Sequence, residues 1–189
     1  MILCLGAVSC SDDLYEPATK SSGYVNTVRK DDISFKLSLL NEEGKPATVF
    51  REGENFSFRF EMENLRENDK REYPGQLLGN LYVNGFSHVF NQNGDWVGSP
   101  FSEGGACTKE LSSFPFEGDN RPDVTVPWNG SNEEEWWKYR SCDFTWSAPA
   151  VLPKGDYYTG FTYTFNYRIT PNTWVETGPV TMRIDFTVE

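Results

Sequence analysis

Three observations predict that the sequence forms an all-β protein, an antiparallel β-sandwich. The longest regular stretch, residues 156–169, places most of its aromatic side chains on odd positions and Gly, Thr, Asn and Arg on even ones. A β-strand produces such period-two alternation because its successive side chains point to opposite faces. Three more stretches alternate in the same way, and no segment of useful length repeats its apolar residues with the helical period. The apolar face of each strand requires a second sheet to bury it.

The predicted strands follow one another along the chain, with turns that contain Gly, Pro and Asn between them. Their apolar positions, all on one face of each strand, are Ile33, Phe35, Leu37 and Leu39; Phe56, Phe58, Phe60 and Met62; Tyr157, Phe161, Tyr163, Phe165, Tyr167 and Ile169; and Val180, Met182, Ile184, Phe186 and Val188. Residues 81–90 are apolar without clean alternation, and Asn84-Gly85 in their middle indicates a hairpin turn or a bulge. This pattern favours a sandwich of the immunoglobulin type, with a closed barrel as the alternative.

The length of the chain limits the number of domains, and its net charge limits the classes of partner. The 189 residues are compatible with one β-domain, which we assign to residues 31–189 with a loop-rich insertion at about 98–147. The formal net charge of -11 would repel phosphate backbones, which excludes nucleic acid as a partner. This acidity favours solubility over recognition of a cationic partner.

The first residues have the pattern of a targeting segment. Residues 1–9 are apolar or small, and Cys10 follows them, with Ser11-Asp12-Asp13 behind it. The pattern resembles the lipobox of bacterial lipoproteins, and the acidic pair resembles the export signal of Bacteroidetes-type surface lipoproteins. The resemblance implies a signal peptide over residues 1–9, a lipid on Cys10, and a location on the outer membrane, exposed at the cell surface.

Residues 10–30 mix Ser, Thr, Pro, Gly and charges, which predicts a tether between the lipid and the domain. No window approaches the ~18 apolar residues of a membrane-spanning helix, so the acyl chains would be the anchor. The alternative interpretation of residues 1–9 is a short buried strand with two core cysteines.

Short motifs in the domain follow the order found in another family. A strand that ends in Asn is followed by a Gly-Xaa-Xaa-Trp hairpin and then by a Pro-Xaa-Gly-Xaa-Tyr entry to a strand. The residues that resemble these motifs are Gly53-Glu54-Asn55-Phe56 with Glu63-Asn64, Asn93-Gly94-Asp95-Trp96, and Leu152-Pro153-Lys154-Gly155-Asp156-Tyr157. In the second of them one residue, instead of two, separates Gly94 from Trp96. In this order they resemble the immunoglobulin-like domain of the bacterial intracellular proteinase inhibitor family. The resemblance implies that fold, and it makes proteinase inhibition through an exposed loop an alternative function.

The insertion contains two cysteines, Cys107 and Cys142, and no strand period organises it. An even number of cysteines in an oxidising compartment favours a disulfide between them. Such a bond would stabilise the domain by about 3–4 kcal/mol in the loop-entropy model. Two unpaired buried thiols are the alternative, because sequence cannot supply the required geometry.

The sequence contains few residue patterns that indicate catalysis or metal binding. His88 is the only histidine and has no nucleophile motif near it, which favours a hydrogen-bonded structural role. Asn91, Asn93 and Asp95 resemble the opening of a calcium loop, but a hairpin turn at Asn93-Gly94 accounts for them better. We therefore expect no metal, no cofactor and no enzymatic activity.

Aromatic residues of the insertion are the candidate ligand contacts. They are Trp128, Trp136, Trp137 and Tyr139. Such rings contact glycans or proteins, or else form a satellite core under a long loop. The sequence thus predicts a surface lipoprotein that acts as a non-enzymatic binding or accessory module for a protein or a glycan. A proteinase-inhibitor-like domain and a glycan-active hydrolase that uses carboxylates are the alternatives.

Overall fold

The predicted all-β sandwich is confirmed, because two multi-stranded sheets pack together around an apolar core. A computed structural model describes residues 23–66, 70–103, 113–116, 121–129, 144–146 and 149–189. The elements in chain order are β1 (Val25–Lys30), β2 (Ile33–Leu40), β3 (Val49–Phe50), β4 (Ser57–Asn64), β5 (Glu72–Pro74), α1 (Leu77–Val83), β6 (Val89–Asn91), β7 (Trp96–Gly98), β8 (Phe101–Glu103), β9 (Ser113–Pro115), β10 (Asp123–Pro127), β11 (Phe144–Trp146), β12 (Gly155–Thr170) and β13 (Thr173–Val188).

The first sheet has the strand order β1-β2-β4-β10 and is antiparallel throughout. The alternation predicted for its two central strands is confirmed, since their apolar side chains are buried and the residues between them are mostly partly exposed. Its fourth strand, β10, lies inside the loop-rich insertion predicted at about 98–147, with Val126 opposite Phe58. The sequence did not indicate β10, because a five-residue strand is too short to establish a period.

The second sheet is built on the long hairpin of β12 and β13, and its order is β3-β13-β12-β5-β9, with β6 also paired to β12 and β7 paired to β6. The strand predicted over 156–169 is confirmed. The strand predicted over 81–90 is only partly right, because helix α1 ends at Val83 and β6 begins at Val89. Leu77 and Leu81, one helical turn apart, bury the inner face of α1. The sequence did not indicate α1, because seven residues are too few to establish a helical period.

Aromatic rings join the two sheets in the core. The ring of Phe165 on β12 lies 4.5 Å from that of Phe35 on β2, measured between centroids. It also stacks nearly parallel on Phe60 of β4, at 5.6 Å. Side chains of both inner faces therefore interdigitate, as expected for a sandwich core.

The predicted tether ends earlier than residue 30. Residues 25–30 form β1, which pairs with β2 along its whole length through a turn at Asp31-Asp32. Both turn residues have positive φ, as a two-residue hairpin of the I′ type requires. The tether interpretation is wrong for residues 25–30, because this edge strand buries few side chains and so lacks a clear pattern. In the described part of the chain, no helix is both long and apolar enough to cross a membrane.

Candidate functional site

The β6–β7 hairpin presents an exposed tryptophan, Trp96. Its turn is fixed by Asn91, whose Oδ1 accepts hydrogen bonds from the backbone N–H groups of Asn93 at 2.9 Å and Asp95 at 3.0 Å. Gly94 adopts a φ of 89°, which favours glycine. The hairpin-turn interpretation of Asn93-Gly94 is thus confirmed. The side chain of Trp96 emerges directly after this turn and is 61% exposed.

Trp96 belongs to a row of aromatic side chains that crosses the outer face of the second sheet. In the strand register, Trp96 lies opposite Phe90, and Phe90 lies opposite Tyr158. We call these three residues the outer aromatic row. The rings of Phe90 and Tyr158 stack at 5.2 Å with an angle of 18° between their planes. Cross-strand aromatic pairs of this kind stabilise a sheet and restrict the rotamers of both residues.

An arginine closes the far end of the row. The guanidinium of Arg183 lies over the ring of Tyr158, with its central carbon 3.7 Å from the ring centroid. It also forms an ion pair of 2.8 Å with Asp185, the residue directly opposite Tyr158 on β13. Both faces of the Tyr158 ring are therefore covered, one by Phe90 and the other by Arg183. The positive charge at this end is balanced by a carboxylate.

His88 flanks the row, packed among aromatic rings. Its ring lies 5.5 Å from that of Tyr82, 6.3 Å from that of Phe90 and 6.5 Å from that of Trp96. Burial lowers the pKa of His88 below its usual value, because desolvation disfavours the charged form. Its Nε2 atom is buried and makes no hydrogen bond in the described structure. The expectation of a fully hydrogen-bonded histidine is therefore wrong at Nε2, although the ring is packed as a structural residue.

Trp128, a predicted ligand contact, is part of the core. Its side chain is only 4% exposed and stacks on Phe56 at 5.6 Å with an interplanar angle of 11°. Its indole N–H donates a hydrogen bond to the carbonyl oxygen of Ala150 at 3.3 Å. The prediction of a ligand contact is wrong for Trp128, because its backbone N–H extends the pairing of β10 with β4 and carries the ring into the core. The core alternative is the correct one for this residue.

The other predicted site residues lie outside the described residues. They are Cys10, Cys107, Cys142, Trp136, Trp137 and Tyr139. Lipidation of Cys10, the disulfide and a ligand contact in the insertion therefore stay predictions.

Sequence reasoning missed the outer aromatic row, although two signals for it are present. Tyr158 is the one aromatic residue on the otherwise polar even positions of 156–169. Trp96 follows a recognised hairpin turn, and the pairing around such a turn places it close to Phe90. Aromatic residues that break the polar face of a strand indicate a surface contact when a second strand brings them together.

No protein-family model matches this chain, and a comparison with curated proteins gives no significant match. Among the residues that the structure describes, no group of three or more His, Cys, Asp or Glu side chains is arranged to hold a metal ion. The outer aromatic row and Arg183 offer apolar area, ring stacking and one cation held in place.

Proposed function

We propose that this protein is a lipid-anchored, non-enzymatic binding module whose ligand is a protein that docks on the outer aromatic row. The observation that carries the proposal is the exposed indole of Trp96 at the end of a stack of Phe90, Tyr158 and Arg183. Trp, Tyr and Arg are the residues that contribute most binding free energy in protein interfaces. The lipobox-like residues before Cys10 support the anchor.

The orientation of the rings favours a protein over a glycan. A sugar stacks its CH face on the free face of an aromatic ring, so a glycan platform needs several rings with open faces. Here both faces of Tyr158 and one face of Phe90 are covered. Trp96 is thus the member of the row with the most open ring. A stack that is already ordered also loses little side-chain entropy when a protein docks on it.

The two other functions raised by the sequence relate differently to this surface. A proteinase is one class of such a partner, since Trp96 lies in the hairpin Asn93-Gly94-Asp95-Trp96, which resembles a hairpin of the inhibitor family. A retaining or inverting glycosidase needs two carboxyl groups on either side of one glycosidic bond. The carboxylate of Asp185 is instead held by Arg183, which supports binding rather than hydrolysis.

The test compares protein capture by three immobilised forms of the chain: wild type, Trp96→Ala and Trp174→Ala. Trp174 is the matched control, because it is a 47% exposed tryptophan on the same sheet and lies far along β13 from the row. Envelope and secreted proteins of the source bacterium are passed over each form. We expect proteins that wild type and Trp174→Ala retain and that Trp96→Ala loses. Capture that is unaffected by Trp96→Ala, or a glycan-array signal that this substitution abolishes, would contradict a protein ligand at this site.

A further inference from the structure

We infer that the partner binds by adding an extended strand to β7, the edge strand that carries Trp96. This inference rests on the proposed function, because it specifies how a protein would contact the outer aromatic row. It commits to one occupant, an extended segment of a protein partner.

No described strand pairs with one side of the β7 backbone. Among the described strands, β7 pairs only with β6. Next to the turn, the N–H of Asn91 donates to the carbonyl oxygen of Asp95 at 3.0 Å, so Asp95 faces β6. In an antiparallel ladder the following residue directs its N–H and C=O the other way. The backbone groups of Trp96 therefore point away from β6, where they form a template for another strand.

The side chains of β7 leave this edge unprotected. Edge strands are usually guarded by Lys, by Pro, by charges that point inward, by β-bulges, or by being very short. The strand Trp96–Gly98 carries none of these side chains, although it has only three residues and its pairing with β6 has one register irregularity. Val97 is 38% exposed beside Trp96. A strand added here would place a side chain opposite Trp96 and would extend the outer aromatic row by one position.

The geometry also limits the length and chemistry of the partner segment. The accessible edge ends at Gly98, which is buried and lies opposite Val89 of β6. The accessible stretch is therefore residues 95–97, which offers few main-chain hydrogen bonds and leaves much of the affinity to Trp96. Asp95 is exposed at the start of this stretch and the whole chain is acidic, so the segment should be neutral or basic. Aromatic or β-branched residues would pair best with Trp96.

The experiment uses random dodecapeptides displayed on phage, selected against the immobilised full chain. The selected peptides are resynthesised, both unmodified and with alternate backbone amides N-methylated, and their affinities are measured. N-methylation removes main-chain donors while it preserves the side chains. We expect it to weaken binding by roughly tenfold or more. In the free protein the amide hydrogen of Trp96 should exchange rapidly, and a bound peptide should slow that exchange.

The outcomes separate this inference from the proposed function. If peptides depend on Trp96, as judged with Trp96→Ala, but tolerate N-methylation in both possible registers, strand addition is wrong and the surface remains a protein-binding site. If the amide of Trp96 is already protected in the free protein, the edge is occupied and strand addition is again wrong. If no selected peptide depends on Trp96, both the strand addition and the proposed surface are contradicted.

Discussion

The guanidinium carbon of Arg183 lies 3.7 Å from the centroid of the Tyr158 ring, while its Nη2 is 2.8 Å from a carboxylate oxygen of Asp185. The side chains of Arg183 and Asp185 are only 14% and 13% exposed, so this ion pair is largely removed from water on the face where Trp96 emerges. One arginine thus neutralises a desolvated carboxylate and closes the aromatic stack.

Arg183→Ala should lower the free energy of unfolding by about 3 kcal/mol, because Asp185 would be left charged and largely buried without its partner. Arg121→Ala is the matched control. Its pair with Glu63 joins side chains that are 59% and 45% exposed, so its loss should cost about 1 kcal/mol or less. Urea denaturation of both variants checks the difference. Equal effects would show that the pair of Arg183 and Asp185 is as well solvated as the surface pair.

Trp128→Ala should destabilise the domain by about 3–5 kcal/mol, as expected when a buried ring is removed from a packed core. Trp96→Ala should change stability by less than about 1 kcal/mol, since most of that side chain is already in contact with water. The two variants control for each other because both remove an indole. Strong destabilisation by Trp96→Ala would instead make Trp96 a structural residue.

The free energy of unfolding should fall as the pH decreases below about 6.5 because of His88. Burial lowers the pKa of His88 in the folded state, so below the ordinary pKa the unfolded chain binds a proton that the folded chain does not. The stabilisation is thus fully present above about pH 6.5 and is lost on acidification, by at most about 1.4 kcal/mol per pH unit.

The measurement is urea denaturation of wild type and His88→Gln between pH 7.5 and 5.5. His88 is the only histidine of the chain, so the difference in slope between the two proteins isolates its titration. His88→Gln should be nearly flat over this interval. Identical slopes for both proteins would show that His88 titrates as it does in the unfolded chain.

Cys10→Ala should release the protein from the membrane fraction and leave the domain folded, because the lipid is the predicted anchor. Fractionation of cells that express either form, with circular dichroism of the released protein, checks this expectation. Cys107→Ala is the control for loss of a cysteine as such, and it should stay with the membrane. Retention of Cys10→Ala in the membrane fraction would contradict lipidation at this residue.

Strand periodicity predicted most of the sandwich because one face of each long strand is buried. Alternation alone predicted that Phe35, Phe60 and Phe165 are buried, and all three lie in the same core. The elements that escaped prediction are short. Helix α1 presents only two turns, and β10 has five residues, so neither gives a period that stands out from chance.

The candidate site was harder to predict because exposure depends on which strands pair. Trp128 and Trp96 are the same residue type, yet pairing with β4 carries Trp128 inward. Among the described strands β7 pairs only with β6, which leaves Trp96 at an edge. Sequence supplies the residues of such a surface but not the register that assembles them.

The most direct test of the proposed surface is fluorine NMR of the chain labelled with 5-fluorotryptophan, with each signal assigned by Trp→Phe substitution. The chain has six tryptophans, which gives six signals to follow. On titration with the protein fraction that wild type captures, the signal of Trp96 should shift or broaden, while those of the buried Trp128 and of the distant Trp174 should not change. A titration that moves the signal of Trp174 and leaves that of Trp96 unchanged would contradict binding through the outer aromatic row.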